Sequence, residues 1–349
     1  MDVALFDFGL PPEQIAQHPA VDREASRLLV LDRATGAVVS HARVGELPAY
    51  LHSSDLLVVN DTRVFPARLL GRRDPSGGAV ECLLVRRIEG DRWEALVHPG
   101  QKLRPGSRMV FTGEGLTLRG EVLERHFHGR RTIRLWADDG GDVDRVVDVI
   151  GHMPLPPYIH RADEQEDRER YQTVYARARG SIAAPTAGLH LTPRLLAALA
   201  DRGVERANVT LHVGYGTFKP VRSEQVEDHR VDEEWFEVPV ETAERVNAAR
   251  AAGRRVVAVG TTTTRTLESA AAEHDGRVRA GRGETGLFIY PGYRFQAVNG
   301  LLTNFHLPRS SLLMLVCAFA GREAVLEAYR EAVARGYRFY SYGDAMLIL

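Results

Sequence analysis

The chain predicts an α/β protein: a sheet with helices on both faces, formed from both chain ends, with a small antiparallel β-barrel inserted between them. Three observations carry this. Residues 1–65 and 151–349 hold apolar runs that alternate with helix-length amphipathic stretches. Residues 66–150 hold only short alternating runs cut by Gly and Pro at regular spacing. Four short loops rich in Gly, Thr and His each join an apolar run: APTAGLH (184–190), LHVGYGTF (211–218), VGTTTTRTLE (259–268) and TNFHLP (303–308). Small residues let a backbone approach a ligand closely, and sheets of this kind bind ligands at strand ends, so the four loops are expected to converge on one pocket.

In chain order, 26–32 reads as a strand closing in a turn at Thr35-Gly36, and 55–61 as a buried strand ended by the turn formers Asn60-Asp61. The barrel strands are expected at 79–85, 93–97, 108–111, 116–123 and 131–136. Segment 154–180 opens on a proline-rich stretch and carries a charge run at 163–170. It reads either as a solvated linker or as a substrate flap with an aromatic-basic surface from Tyr171, Tyr175, Arg177 and Arg179. Thr192-Pro193 is a helix start, a capping hydroxyl followed by a proline in the first turn. A strand follows at 208–213, then a helix at 241–252, a buried strand at 255–260, a helix at 266–273 and a strand at 287–290. Ser310 or Ser311 caps a helix over 312–319, and another helix spans 322–334.

Composition narrows the function. The formal net charge of −1 argues against a nucleic-acid binder that works by bulk charge, while leaving room for a local basic face. Lys102 and Lys219 are the only lysines, so that face would be made of arginine, which forks onto phosphates and stacks on bases. The longest apolar run, 312–320, is far short of the roughly 20 residues that span a bilayer, and 1–4 has no basic stretch leading into an apolar one. Cys82 and Cys317 sit in no paired motif. These features predict a cytoplasmic protein with reduced thiols.

The loop at 259–268 couples a strand to a helix N-terminus whose free amides and threonine hydroxyls suit an anion or a ribose. It lacks the Gly-Lys-Ser/Thr ending of a P-loop. His190, His212 and His306 lie in separate loops with no His-x-x-x-His pair, so no metal site is expected, and hydrogen bonding or acid/base work suits them better. No Gly-x-Ser-x-Gly elbow is present.

The motifs FDFGLP (6–11), SRLL (26–29), VVNDTRVFPARL (58–69), YQTVYA (171–176), GTTTTR (260–265), TNFHLP (303–308) and SYGDAM (341–346) occur in one order along nearly the whole chain. In them the sequence closely resembles the S-adenosylmethionine:tRNA ribosyltransferase-isomerases of queuosine biosynthesis. Arg73, Asn299 and Ser311 stand where that family usually has Lys, Asp and Thr. The resemblance implies transfer of the ribosyl unit of S-adenosylmethionine to 7-aminomethyl-7-deazaguanine at the tRNA wobble position. The sugar becomes an epoxycyclopentanediol, and adenine and methionine are released. No cofactor is implied, because S-adenosylmethionine is consumed as a substrate. The implied partners are that tRNA and S-adenosylmethionine, with no membrane, and the protein is expected to be a monomer.

Such chemistry needs a base at the 5′ carbon acidified by the sulfonium, a proton for departing adenine and a neutral amine nucleophile. Asp61, Glu268 and Glu284 are the candidate carboxylates, for the base or for the sulfonium's electrostatics. His190 and His306 are the candidate proton carriers. Arg63 and Arg265 are candidates to fork onto the methionine carboxylate. Thr186, Thr217, Thr285 and Asn304 are candidates for ribose or adenine. Arg72, Arg73, Arg130 and Arg131 of the barrel, expected to be exposed, and Tyr175 are candidates to contact tRNA. A tRNA-binding protein without catalysis would need no converging acid/base loops. A nucleoside hydrolase would use water in place of the tRNA amine.

Overall fold

The computed structural model describes every residue except Lys219, Pro220, Glu273 and His274, and only the backbone of His128, Thr217 and Phe218. Its first part contributes β1 (Arg27–Leu31), β2 (Val38–Arg43), β3 (Leu56–Asn60) and β4 (Thr62–Val64). A run of strands follows: β5 (Arg68–Asp74), β6 (Ala79–Glu89), β7 (Arg92–His98), β8 (Arg108–Gly113), β9 (Leu116–Arg125) and β10 (Arg130–Ala137). After them come α1 (Val143–Ile150), α2 (Asp167–Arg170), β11 (Ala178–Ser181), α3 (Pro193–Asp201), β12 (Glu205–Leu211), β13 (Glu234–Val238), α4 (Val240–Ala251) and β14 (Val256–Val259). The remainder is α5 (Thr261–Ala272), β15 (Gly281–Thr285), β16 (Gly300–Asn304), α6 (Ser311–Ala320), α7 (Arg322–Ala334) and β17 (Ala345–Ile348).

Nine strands from both chain ends form one sheet in the order β15-β13-β12-β3-β14-β16-β17-β1-β2. Its centre, β12-β3-β14-β16, is parallel, while β17 runs antiparallel to β16 and parallel to β1. Central strands buried on both faces read as continuous apolar runs, which is why 56–59 and 256–259 carry no polar residue. Alternate side chains divide between the faces. Leu56, Val58, Val256 and Ala258 enter the core shared with α4 to α7, and Leu57, Val59, Val257 and Val259 enter the core shared with α3. Thr192 caps α3, accepting from the Leu195 amide at 3.0 Å, and Ser310 caps α6 in the same way.

β5 to β10 close into a six-stranded antiparallel barrel in the order β10-β7-β6-β5-β8-β9. Its interior is filled by Cys82, Leu84, Ala95, Met109, Phe111, Leu118, Val122, Ile133 and Leu135, and Val146 and Val147 of α1 join that core. Ion pairs tie the barrel to the sheet: Arg130 to Asp232 at 2.6 Å, and Arg86 to Glu284 at 3.1 Å.

Two local expectations do not hold. The helix expected at 266–273 starts at Thr261, directly after Gly260, whose φ of +88° turns the chain out of β14. The strand expected at 287–290 is absent: 281–285 pairs with β13 instead, and Leu287 to Tyr290 pack on the core without ladder bonds. Segment 154–180 is pinned to its surroundings. Tyr158 and Tyr171 are buried, and Asp167 takes Arg161 at 2.6 Å and the Tyr342 hydroxyl at 3.1 Å.

Candidate active site

The carboxyl ends of β12, β3, β14 and β16 lie side by side at one edge of the sheet, and antiparallel β17 begins at that same edge, with Ala345 opposite Asn304. A cleft opens there. It is lined by residues from all four loops: Ala184, Pro185, Thr186 and Ala187; Val213; Gly260, Thr261 and Thr262; and Thr303, Asn304 and His306. Leu312, Tyr340 and Ser341 complete it. The expected convergence of the four loops is therefore what the fold produces, at the strand ends where open α/β sheets bind ligands.

Among the described residues, no charged side chain lines the cleft. His306 is 5 % exposed, and its Nε2 lies 2.9 Å from Thr303 Oγ1. Burial pushes its pKa down to about 3. His190, 4 % exposed, sits behind the wall with Nε2 3.3 Å from Asn304 Nδ2. Its pKa falls to about 4, mainly through burial and further through the cations Arg23 and Arg338. Both imidazoles are therefore neutral near pH 7. In an unfolded chain they would titrate near about 6.5, so below that pH the unfolded state binds more protons than the folded one. Stability is expected to fall as pH drops from about 6.5 towards 4 and 3, the depressed values of the two rings. Thermal melts of the wild type and of His306→Gln across pH 4 to 7 check this, the variant being expected to show the shallower decline.

Asp61 stands at the end of β3, is 1 % exposed, and accepts from Thr210 Oγ1 at 2.6 Å and from Arg177 at 2.9 Å. Its neighbour Asn60 braces the cleft wall from behind, with Nδ2 3.3 Å from Oγ1 of the lining residue Thr262. Glu268 is placed differently. Its buried carboxylate accepts from the amides of Gln296, Ala297 and Val298 at 2.8–2.9 Å and from the Tyr293 hydroxyl at 3.1 Å. It is spent on organising the chain before β16. Glu284 is exposed and paired with Arg86 of the barrel.

Of the candidate binding residues, Thr186 and Asn304 line the cleft. Arg265 is buried and engaged by the protein, donating to Glu234, to the Leu287 carbonyl at 2.9 Å and to the Thr285 carbonyl at 3.3 Å. Thr285 is likewise engaged, its hydroxyl 2.6 Å from Ser269 Oγ. Arg63 is exposed on β4, and of Thr217 only the backbone is described.

The barrel arginines divide. Arg72 is exposed. Arg73 lays its guanidinium against Gly78, where a Cβ would come within 1.9 Å of it. Arg130 pairs with Glu94 and Asp232. Arg131, expected to be exposed, is 1 % exposed. It donates to the carbonyls of Leu103, Arg130 and Gly100 at 3.2, 2.7 and 2.6 Å, so that one planar fork satisfies three loop acceptors. Tyr175 is half-buried, its hydroxyl wedged at Gly188. Tyr340 and Ser341 were not among the candidates. Their one local sign is Gly343, where the carbonyl of Arg338 leaves no room for a Cβ and so forces a tight turn.

Among the described residues no group of three or more His, Cys, Asp or Glu is placed to hold a metal ion, and no helix is long and apolar enough to cross a membrane.

Fold and cleft together define an α/β body with a cleft at its parallel strand ends and an inserted β-barrel. Similar proteins narrow this. A family model described as "Queuosine biosynthesis protein" matches residues 3–348. The S-adenosylmethionine:tRNA ribosyltransferase-isomerases of Heliobacterium modesticaldum and Symbiobacterium thermophilum are 56 % and 55 % identical over 349 residues, covering all of both chains. The crystal structure of S-adenosylmethionine tRNA ribosyltransferase from Thermotoga maritima matches 99 % of this chain and 100 % of its own, at 40 % identity and a TM-score of 0.56. The chain belongs to this family of queuosine biosynthesis enzymes.

Proposed function

We propose that the enzyme transfers and isomerises the ribosyl unit of S-adenosylmethionine onto 7-aminomethyl-7-deazaguanine at the wobble position of tRNA, giving epoxyqueuosine-tRNA, adenine and methionine. The observation that carries this, beside the end-to-end match to the ribosyltransferase-isomerases, is a strand-end cleft without charged side chains among the described residues, with the neutral imidazole of His306 in its wall and that of His190 behind it. Such a site suits a cationic sulfonium, which a cluster of arginines or a protonated histidine would repel.

Of the three candidate carboxylates, Asp61 alone directly follows a central parallel strand at the cleft edge. It lies outside the cleft lining, held by Thr210 and Arg177, and in this reading it serves as base to a substrate that extends past that lining. The imidazoles of His306 and His190 pass protons as neutral donors and acceptors, one nitrogen of each already set by Thr303 or Asn304. Thr186 holds the nucleoside. The protein works in the cytoplasm as a monomer, on tRNA and S-adenosylmethionine.

The barrel supplies part of the tRNA surface. Its β9–β10 turn presents Phe127, 87 % exposed, beside the exposed cations Arg125 and Lys102. An exposed ring among cations suits an unpaired base flanked by phosphates. Phe127→Ala is expected to weaken tRNA binding about tenfold, since base stacking contributes roughly 1–3 kcal/mol, and to leave the Michaelis constant for S-adenosylmethionine unchanged. Filter binding at fixed salt, with unaltered binding as the adverse result, checks this.

The whole reading is tested by incubating the protein with S-adenosylmethionine and tRNA carrying either guanine or the aminomethyl-deazaguanine. Adenine release that requires the modified tRNA supports it. Release without tRNA indicates a hydrolase, and tRNA binding with no release indicates a protein without catalysis.

A further inference from the structure

One buried polar atom in the cleft accepts from no described residue: Oδ1 of Asn304, on a side chain 2 % exposed. The orientation of this amide is determined by its surroundings. Its nitrogen donates to the Tyr340 carbonyl at 2.9 Å and faces His190 Nε2 at 3.3 Å and the Ser341 carbonyl at 3.5 Å. A flipped amide would set its oxygen against two carbonyls. The turn that delivers those carbonyls holds Tyr340 at a φ of +74°, a conformation a bulky residue adopts only when its surroundings impose it. A buried acceptor left unmatched costs free energy, so this oxygen is built for a donor that arrives with a ligand.

Beside it stands a second, complementary feature. β14 and β16 are parallel neighbours with Val259 opposite Leu302, and the Gly260 amide donates to the Leu302 carbonyl at 2.7 Å. The first bond closing α5 runs from the Thr264 amide to the Gly260 carbonyl at 3.2 Å. The amides of Thr261, Thr262 and Thr263 therefore have no acceptor within the helix, and they sit at its positive end. Thr261 and Thr262 line the cleft. Free helix-terminal amides that favour an anion and an unmatched oxygen that needs a donor thus face the same cleft.

We infer that this corner holds the α-amino acid head of the substrate, with the carboxylate on the N-terminus of α5 and the ammonium on Asn304 Oδ1. The two charges of such a head are carried on one carbon, with nitrogen and carboxyl carbon roughly 2.5 Å apart, so one small cleft can hold both. Among the described residues no cation lines the cleft to favour a phosphate, and no anionic side chain lines it to take the ammonium alone. The inference rests on S-adenosylmethionine as the substrate, and it moves the methionine carboxylate away from Arg265, which the protein already engages.

The test compares S-adenosylmethionine with two analogues that keep the sulfonium and adenosine: one without the carboxylate, one without the α-amino group. Wild-type kcat/KM, read as adenine release with modified tRNA, is expected to fall about tenfold or more for each analogue, the loss associated with a hydrogen bond to a charged group. Asn304→Ala also removes a contact of His190 and so slows both substrates, but it should lower kcat/KM about tenfold more for S-adenosylmethionine than for the amine-free analogue. Equal turnover of all three substrates by the wild type overturns the assignment without use of any variant. So does an Asn304→Ala loss that is the same with and without the amine, which would place the oxygen on adenine or ribose. Absence of adenine release from S-adenosylmethionine itself would instead defeat the functional reading.

Discussion

Glu268→Ala is expected to lower the thermal midpoint by about 5–10 °C and to reduce the yield of folded protein. The carboxylate is fully buried and is the shared acceptor of three successive backbone amides and one tyrosine hydroxyl. Alanine would strip the partner from the amides of Gln296, Ala297 and Val298 where water reaches poorly. Each buried unsatisfied donor costs roughly 1–3 kcal/mol, so a total near about 4 kcal/mol is expected after local relaxation. Glu268→Gln keeps one acceptor oxygen and should cost about half as much. A calorimetric scan of both variants decides it. A midpoint within about 2 °C of wild type for Glu268→Ala would show that the loop finds other acceptors.

The second large effect is on turnover. His306→Ala and His190→Ala are each expected to reduce kcat by at least about tenfold, within the ~10²–10⁴-fold typical of acid/base groups, with the fold retained. His306 lines the cleft and bonds Thr303, while His190 bonds the amide of Asn304. Alanine at either position removes a neutral donor–acceptor where substrate protons must move. Single-turnover assays with modified tRNA separate the chemical step from binding. Normal turnover by both variants would make the histidines purely structural.

Much of this architecture was readable from residue patterns, because its signals are local. Continuous apolar runs at 56–59 and 256–259 announce strands covered on both faces, and the alternation in 79–85 and 116–123 announces a barrel. What escaped depends on partners distant in sequence or on side chains that act against type. The threonines at 261–264 look like a loop, since Thr is a poor helix former. In the fold Thr263, Thr264 and Thr266 turn their hydroxyls back onto carbonyls four residues earlier, and the helix begins at Thr261. Arg131 looks like a surface cation until the carbonyls of Gly100 and Leu103 are brought to it. Glu268 and Arg265 sit in a motif that looks catalytic, yet their partners, 296–298 and Glu234, lie about 30 residues away, and pattern alone does not disclose them. Tyr340 and Ser341 join the cleft only because β17 returns antiparallel beside β16.

The position of β17 also bears on how the protein is made. This strand fills the gap between β16 and β1, joining residues 345–348 to residues 28–31. While the ribosome is still translating, β1 and β2 can form only a hairpin with one apolar edge open. The barrel, assembled from successive hairpins within 68–137, can fold as soon as it emerges. The nascent chain therefore carries a finished barrel and an unfinished sheet for most of its synthesis. Its demand for chaperone protection should concentrate on the first sixty or so residues, and it should end only when the last strand is released.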